Sequence, residues 1–310
     1  MTDLFSTLLS IPTASGAEQA LCASLAAALE PYTDTITTDA LGNLIATRRA
    51  RGNAGSGALA FVCSLDFPGR IVTYIEESGL CRTAPVGRPE AAGAVYSTMT
   101  DGTHSALLIP DKNAKDGGEL LADFGVSPKD TVPVQPGDIL CYSDMPLTLA
   151  DGTVCAPALG SKLCALALYS LAARQIEVPF DVHYLFCTQS ALGNRGAAPA
   201  AFAVPFDRAI GVQTYEGKTP GICLLDKVAV YDKPLSDALC KAGEAVGVPL
   251  TPCTQSEKIY DTARIQSAGS GVKTGLLLLP VSYSGSVREK GQPQTATQLA
   301  DIMERFLKDN

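Results

Sequence analysis

The length, composition and charge of the chain exclude several classes of protein. It has 310 residues, 46% of them hydrophobic and 18% charged, so disorder is not indicated and about two domains are expected. Its formal net charge of -8 disfavours nucleic acid and anionic membranes as partners.

The N-terminus and the cysteines indicate a compartment. Met1, Thr2 and Asp3 lack the basic start and long apolar run of a signal peptide, and no stretch approaches the roughly 20 apolar residues of a membrane span. Without a secretory signal, the ten cysteines are expected to be free thiols in a reducing cytoplasm. We therefore expect a cytoplasmic protein with no membrane partner.

The first 67 residues predict helices, a hairpin and a buried strand. Ser15 and Glu18 have the spacing of a capping box, which predicts a helix that continues to about residue 30. Residues 39–46 predict a hairpin with Gly42 and Asn43 at its turn. Residues 58–65 predict a buried strand.

The pattern changes between residues 68 and 155, where short alternating runs and turns replace the helical periodicity. Candidate strands cover residues 70–76, 94–97, 105–109 and 138–142. We predict a small all-β domain at 68–155 that is inserted into a discontinuous α/β domain of residues 1–67 and 156–310.

Helices and strands alternate again from Ser161 onwards. Helices are predicted at 161–174, 234–246 and 294–307, and strands at 180–187, 208–214, 222–231 and 274–280. This alternation favours an α/β fold with a mostly parallel sheet that helices cover on both faces.

The loop after the strand at 180–187 is the first candidate for a functional site. It reads TQSALGNRGA at 188–197. Open α/β sheets bind ligands at the carboxyl ends of their strands, where this loop would lie. No acidic residue is present within it.

Motifs along nearly the whole chain share one family pattern. They are IPTASGAE at 11–18, DALGNLIA at 39–46, IVTYI at 71–75, PVG at 85–87, LADFG at 121–125, PGD at 136–138, GNRGA at 193–197 and PVSY at 280–283. In this order they resemble the glutamyl aminopeptidase family, the dizinc metallopeptidases of family 42. The resemblance implies a zinc-exopeptidase-like fold whose inserted β domain mediates subunit contacts, and therefore a homo-oligomer.

The resemblance also implies two zinc or cobalt ions, but the residues at the corresponding positions differ from the family pattern. Zinc takes imidazole, thiolate or carboxylate ligands, and a base must accept the proton of the attacking water. The ligand positions here hold Ser64, Gly160, Ala191, Gln213 and Gly285, and the base position holds Ser190. We therefore expect no metal cofactor and no activity as a dizinc aminopeptidase.

Other polar residues are expected to line the same cleft. They are Asp66, Ser161, Lys162 and Asp261. The chain has two histidines, His104 and His183, and neither falls near a ligand position.

Three hypotheses follow. The first is a non-catalytic pseudo-peptidase whose cleft binds a peptide or small molecule or serves assembly through the inserted domain. The second is a hydrolase with a Ser/Lys centre, in which Ser64, Ser161 or Ser190 acts as nucleophile with Lys162 nearby. The third is a zinc aminopeptidase whose ligands lie elsewhere in the sequence.

Overall fold

The computed structural model describes residues 2–51, 57–87, 91–111 and 119–310. Within these ranges the helices are α1 (Thr2–Ser10), α2 (Gln19–Leu29), α3 (Leu159–Ala173), α4 (Ala197–Ala203), α5 (Lys233–Ala245), α6 (Asp261–Gln266) and α7 (Gln294–Asp309). In these ranges no helix combines the length and apolar character needed to cross a membrane.

An eight-stranded sheet forms the centre of the fold. Its strands are β1 (Thr35–Thr38), β2 (Leu44–Arg48), β3 (Ala58–Ser64), β12 (Asp181–Cys187), β13 (Arg208–Glu216), β14 (Gly221–Asp226), β15 (Thr251–Gln255) and β16 (Lys273–Val281). Their order is β1-β2-β12-β3-β13-β16-β14-β15. Four of the seven neighbouring pairs are parallel, β12 with β3, β3 with β13, β13 with β16 and β14 with β15, so the predicted mostly parallel sheet is confirmed.

Helices cover both faces of this sheet, as the alternation along β3 shows. Phe61 packs into a large core cluster with residues of α2, α3, α5 and α7. The neighbouring Val62 packs into a smaller cluster with residues of α4 and α6. Successive side chains of a strand point to opposite faces, so each face of β3 is buried by its own set of helices.

The middle of the chain forms a closed β barrel, which confirms the predicted small all-β domain. Its strands are β4 (Gly69–Ile75), β5 (Cys81–Val86), β6 (Thr98–Thr100), β7 (Ser105–Pro110), β8 (Leu120–Asp123) and β9 (Ile139–Tyr142). Residues 88–90 and 112–118 of the predicted domain lie outside the described residues. The boundaries at 68 and 155 stay predictions.

A three-stranded sheet lies beside α3. Its strands are β10 (Leu147–Thr148), β11 (Val154–Ala156) and β17 (Glu289–Gly291). This pairing joins the chain that follows the barrel to a segment near the C-terminus.

Several sequence predictions are wrong in detail. Residues 94–97 form turns rather than a strand, and the adjacent strand begins at Thr98. The strand predicted at 222–231 ends at Asp226, because the carboxylate of that residue accepts hydrogen bonds from the backbone N–H groups of Val228 and Ala229 and closes a turn.

The predicted capping box at the start of α2 is also wrong. The helix begins at Gln19, and no side chain caps its N-terminus. Ser15 donates its hydroxyl hydrogen to Asp66 instead. The Glu18 carboxylate accepts hydrogen bonds from the backbone N–H groups of Gly16 and Gln189 at 2.9 and 2.8 Å.

The predicted hairpin is confirmed, since β1 and β2 pair in antiparallel fashion on either side of residues 39–43. Gly42 has φ +88°, a conformation that favours glycine. Asn43 is fully buried after it, and its side-chain oxygen accepts the Thr188 N–H at 2.8 Å. Its amide group donates to the Gly196 carbonyl at 2.9 Å. The hairpin therefore anchors the loop that follows β12.

We expect Asn43→Ala to lower the free energy of unfolding by about 2 kcal/mol, because it leaves the buried Thr188 N–H without a partner and removes one of the two hydrogen bonds to the Gly196 carbonyl. Urea unfolding followed by circular dichroism measures this loss. Thr37→Ala, at an exposed position of β1, is the matched control and should change stability by no more than about 0.5 kcal/mol. Equal stability of the two variants would contradict the anchoring role of Asn43.

Candidate functional site

An open cleft lies at the carboxyl ends of β3, β12, β13 and β16, where the chain crosses from the sheet to the barrel. Its volume is ≈ 240 Å³. The lining residues are Ser64, Asp66, Phe67, Pro68, Ser161, Ala191, Thr214, Lys258, Ser284, Gly285 and Glu289. Parallel sheets place ligand sites at this edge, so the cleft is the candidate site.

Asp261 connects three of the predicted site positions. Ser64 donates its hydroxyl hydrogen to Gln213 Oε1 at 3.0 Å, and Gln213 Nε2 donates to Asp261 Oδ2 at 3.2 Å. Ser190 Oγ lies 2.8 and 3.0 Å from the two carboxylate oxygens of Asp261. Asn194 Nδ2 donates to the same carboxylate at 2.9 Å. These side chains therefore form one hydrogen-bonded chain that ends on a fully buried carboxylate.

Asp66 is the second buried carboxylate, and it has an unused oxygen. Its Oδ2 accepts the backbone N–H of Ala191 at 2.8 Å and the hydroxyl of Ser15. Its Oδ1 is buried and has no hydrogen-bond partner among the described residues. Asp66 also lines the cleft.

Glu289 is a site residue that the sequence analysis missed. Its two carboxylate oxygens accept the backbone N–H groups of Gly160, at 2.9 Å, and Gly285, at 2.8 Å. It thus joins the first turn of α3 to the loop after β16. A lone Glu in a three-residue strand carries no distinctive motif, and its position four residues after Gly285 was the one available signal.

The glycines at two predicted ligand positions differ in the space around them. A Cβ atom added to Gly160 would lie 2.5 Å from Thr214 Cγ2, so a larger side chain requires Thr214 to move. Nothing lies within 4 Å of a Cβ built at Gly285, but φ there is +77°, a backbone conformation that favours glycine.

Burial dominates the electrostatics of the carboxyl groups in and behind the cleft. It raises the pKa of Glu18 to about 7 and that of Asp261 to about 6, and the nearby charge of Asp66 adds to both shifts. Burial also raises the pKa of Asp66 and of Glu289. Lys258 is the cation of the cleft, and burial lowers its pKa despite the neighbouring Glu289 and Glu216.

The structure does not bring together the residues of the predicted Ser/Lys centre. Ser161 donates its hydroxyl hydrogen to the Ala158 carbonyl at 3.0 Å. Lys162 lies in the next position of α3, lines a different cavity and donates to the Leu9 carbonyl at 3.3 Å. Neither Ser64 nor Ser190 therefore has the Lys162 amine as a hydrogen-bond partner.

Both histidines lie outside the cleft. His104 is exposed and pairs with Asp101, 3.0 Å from its Nδ1, between β6 and β7 of the barrel. His183 is buried in β12, where its ring nitrogens contact the Thr47 hydroxyl and the Pro205 carbonyl. Over the described ranges, no three His, Cys, Asp or Glu side chains converge closely enough to hold a metal ion.

The fold and the motifs together define the family. The model of the M42 glutamyl aminopeptidase family matches residues 42–301. The chain is 23% identical to lysyl aminopeptidase of Pyrococcus furiosus, over 91% of this chain and 89% of that one.

Solved structures show the same fold. An aminopeptidase of the archaeon Desulfurococcus kamchatkensis superposes with a TM-score of 0.90 at 19% identity, covering 99% of this chain and 94% of that one. The TET1 peptidase of Pyrococcus horikoshii, described as assembling into a tetrahedron or a large octahedral shell, superposes with a TM-score of 0.83 at 20% identity, covering 99% and 98%. The chain belongs to the M42 glutamyl aminopeptidase family.

The raised carboxyl pKa values predict a pH-dependent stability. A carboxyl group whose pKa is higher in the folded than in the unfolded chain stabilises the fold at low pH, and that contribution is lost as pH rises through the folded pKa. For Asp261 and Glu18 this stabilisation is lost as pH rises through their folded pKa values of about 6 and about 7. We expect Asp66→Asn to weaken this dependence, because it removes a negative charge that raises both pKa values.

The measurement is urea unfolding at pH 5 and pH 7.5. The free energy of unfolding falls from pH 5 to pH 7.5 in the unsubstituted protein, and this fall should be about 1–2 kcal/mol smaller in Asp66→Asn. Ser64→Ala removes an uncharged hydroxyl from the same cleft and should leave the pH profile unchanged. Parallel profiles for all three proteins would show that the buried carboxyl groups are not coupled.

Proposed function

We propose that this protein is a non-catalytic member of its family, a metal-free pseudo-peptidase whose cleft binds a peptide or small molecule. The observation that carries the proposal is the chain of hydrogen bonds from Ser64 through Gln213 to Asp261, which Ser190 also joins. The polar atoms of these side chains form hydrogen bonds with each other and do not converge on a shared point in the cleft.

The chemistry of the side chains at the ligand positions supports this proposal. A dinuclear zinc centre uses imidazole and carboxylate ligands. Ser64 offers a hydroxyl, Gln213 a carboxamide and Ala191 no metal-binding atom at all. The carboxylates in and behind the cleft, Asp66, Asp261 and Glu289, already accept hydrogen bonds from protein groups. The residues present therefore do not fit two zinc ions.

The backbone around Gly160 supports the same proposal. The resemblance assigns this position to the residue that bridges the two metal ions. Here the Thr214 methyl group lies where its side chain would begin, at 2.5 Å from an added Cβ. The space of a bridging ligand is thus filled by the protein, which is consistent with a pocket adapted to fold without metal.

The cleft retains groups that recognise a polar ligand. Asp66 Oδ1 is an acceptor without a partner among the described residues, and Lys258 provides a positive charge in the same cleft. The apolar Phe67 and Pro68 form part of the wall. A molecule with both a donor and an anionic or carbonyl group would match these features.

A serine hydrolase is the second candidate, favoured by the 2.8 Å distance between Ser190 Oγ and Asp261 Oδ2. A serine nucleophile needs a base that accepts its proton and donors that bind the oxyanion. Asp261 also accepts hydrogen bonds from Asn194 and Gln213, and neither histidine contacts Ser190. The carboxylate would have to act alone, so this candidate ranks below the binding protein.

We also propose a homo-oligomer that forms through the barrel. The tetrahedral and octahedral assembly of the P. horikoshii relative supports self-association. The barrel of this chain exposes neighbouring apolar side chains at Val95, Tyr96 and Leu107, of which Tyr96 is 67% exposed. An exposed apolar cluster of this kind favours a second copy of the chain as its occupant.

The metal content of the purified protein tests the main proposal. After incubation with zinc or cobalt and desalting, we expect far less than one ion per chain and no zinc-dependent rise in melting temperature, because the required ligands are missing. Lysyl aminopeptidase of P. furiosus, treated in parallel, is the positive control. One or two tightly held ions per chain, with chelator-sensitive hydrolysis of aminoacyl p-nitroanilides, would instead indicate a zinc aminopeptidase.

The same assay separates the serine hydrolase. Hydrolysis that persists in chelator and disappears in Ser190→Ala would favour it over the binding protein. Ser161→Ala is the matched control, because the Ser161 hydroxyl contacts a backbone carbonyl rather than a carboxylate.

Light scattering after size-exclusion chromatography tests the proposed assembly. We expect a mass of several chains for the unsubstituted protein and a smaller mass for Leu107→Lys with Tyr96→Asn, because a charge and a polar group would then be buried in the contact. Phe202→Ser, on the exposed side of α4, is the control and should keep the mass unchanged. A monomer in every case, or an unaffected assembly, would remove the barrel from the interface.

A further inference from the structure

A second cavity lies on the other side of α3, between the end of α1 and the segment that leaves β9. Its volume is ≈ 400 Å³, and it shares no lining residue with the cleft described above. Its polar side chains include Tyr142, Asp144 and Lys162, and its apolar wall includes Leu9, Pro12 and Pro146. A cavity of this size is within the range of small-molecule sites, roughly 300–1,000 Å³.

Two residues that line this cavity each carry a buried polar atom without a hydrogen-bond partner among the described residues. These atoms are the hydroxyl of Tyr142 and Oδ2 of Asp144. Tyr142 is 2% exposed, and the other oxygen of Asp144 accepts a hydrogen bond from Arg288 at 3.2 Å. Buried polar atoms normally have partners, so a donor and an acceptor left unpaired in one cavity indicate a bound molecule.

Lys162 adds a buried positive charge to the same cavity. It is 3% exposed, and within the described part of the chain its ammonium group makes one hydrogen bond, to the Leu9 carbonyl. An ammonium group has three N–H donors, so two remain for other acceptors. Burial lowers the pKa of Lys162 to about 8, which leaves the group mainly protonated at pH 7.

The unpaired polar groups favour one chemical class of ligand. Lys162 has N–H donors left for an anionic group, whereas Asp144 Oδ2 is an acceptor that lacks a donor, although Oδ1 of the same carboxylate pairs with Arg288. We propose that this cavity binds a small zwitterion with an apolar side chain, an apolar α-amino acid being the simplest example. Its carboxylate would accept hydrogen bonds from Lys162, its ammonium group would donate to Asp144 Oδ2, and its side chain would contact Leu9 and Pro146.

Titration of the full chain with L-leucine tests this proposal, by calorimetry and by the shift in melting temperature. Leucine should bind and raise the melting temperature. Leucinamide lacks the carboxylate and 4-methylpentanoate lacks the amine, so each should bind at least about tenfold more weakly. Binding of all three with equal affinity would overturn the proposal.

Tyr142→Phe is the most informative variant, since it removes only the unpaired hydroxyl. Without ligand its melting temperature should be unchanged or higher, because no protein hydrogen bond is lost, while its affinity for leucine should fall about five- to tenfold. Asp144→Asn should also weaken leucine binding. Ser64→Ala, in the separate cleft, is the matched control and should leave leucine affinity unchanged.

Other results would overturn the assignment. Unchanged leucine affinity in Tyr142→Phe and Asp144→Asn, or its loss in Ser64→Ala, would place the ligand elsewhere. The absence of leucine binding at millimolar concentration would mean that water alone satisfies Tyr142 and Asp144. None of these readouts depends on the metal content or activity of the cleft.

Discussion

The loop from Thr188 to Gly196 binds the N–H groups of its second half with its own carbonyls, but the N–H groups of Thr188, Gln189 and Ala191 depend on side chains from distant parts of the chain. Glu18 accepts the N–H of Gln189, and Asp66 accepts that of Ala191. Asn43 binds both ends of the loop, through the Thr188 N–H and the Gly196 carbonyl. Buried backbone groups without such partners would cost free energy comparable to lost hydrogen bonds, so these three side chains fix the shape of the cleft.

This requirement explains why buried acidic residues lie in and behind the cleft. Glu18 and Asp66 hold the backbone of the loop, and Asp261 holds the side chains of Ser190, Asn194 and Gln213. Each carboxylate therefore has a structural role that does not require a metal ion. The raised pKa values of Glu18 and Asp261 show what this arrangement costs in electrostatic terms.

The α/β fold and the barrel were predictable from the sequence because they rest on local signals. The 3.6-residue periodicity of α5 and α7, the apolar runs of β3, β12 and β16, and the turn at Gly42 act over a few residues each. The missed strands β5, β8 and β15 lack such signals. Their pairing is decided by the closure of the barrel and by the edge of the central sheet.

The resemblance assigned Ser64, Ser190, Gln213 and Asp261 to one cleft, and this assignment as a functional site stays a prediction. Hydrogen bonds join these four side chains in the structure. The sequence analysis missed Glu289, and it assigned Ser15 and Glu18 to a helix cap. A capping box and a pair of loop anchors use the same residue types, so local spacing cannot distinguish them.

The sequence by itself thus determined the order and type of the main elements, and the residue types at the family's site positions. The tertiary structure alone decided which polar groups meet. Lys162 and Ser161 are adjacent in the chain but line different cavities, because successive residues of a helix point about 100° apart. Ser15 and Asp66 are 51 residues apart but share a hydrogen bond, because β3 ends beside the start of α2.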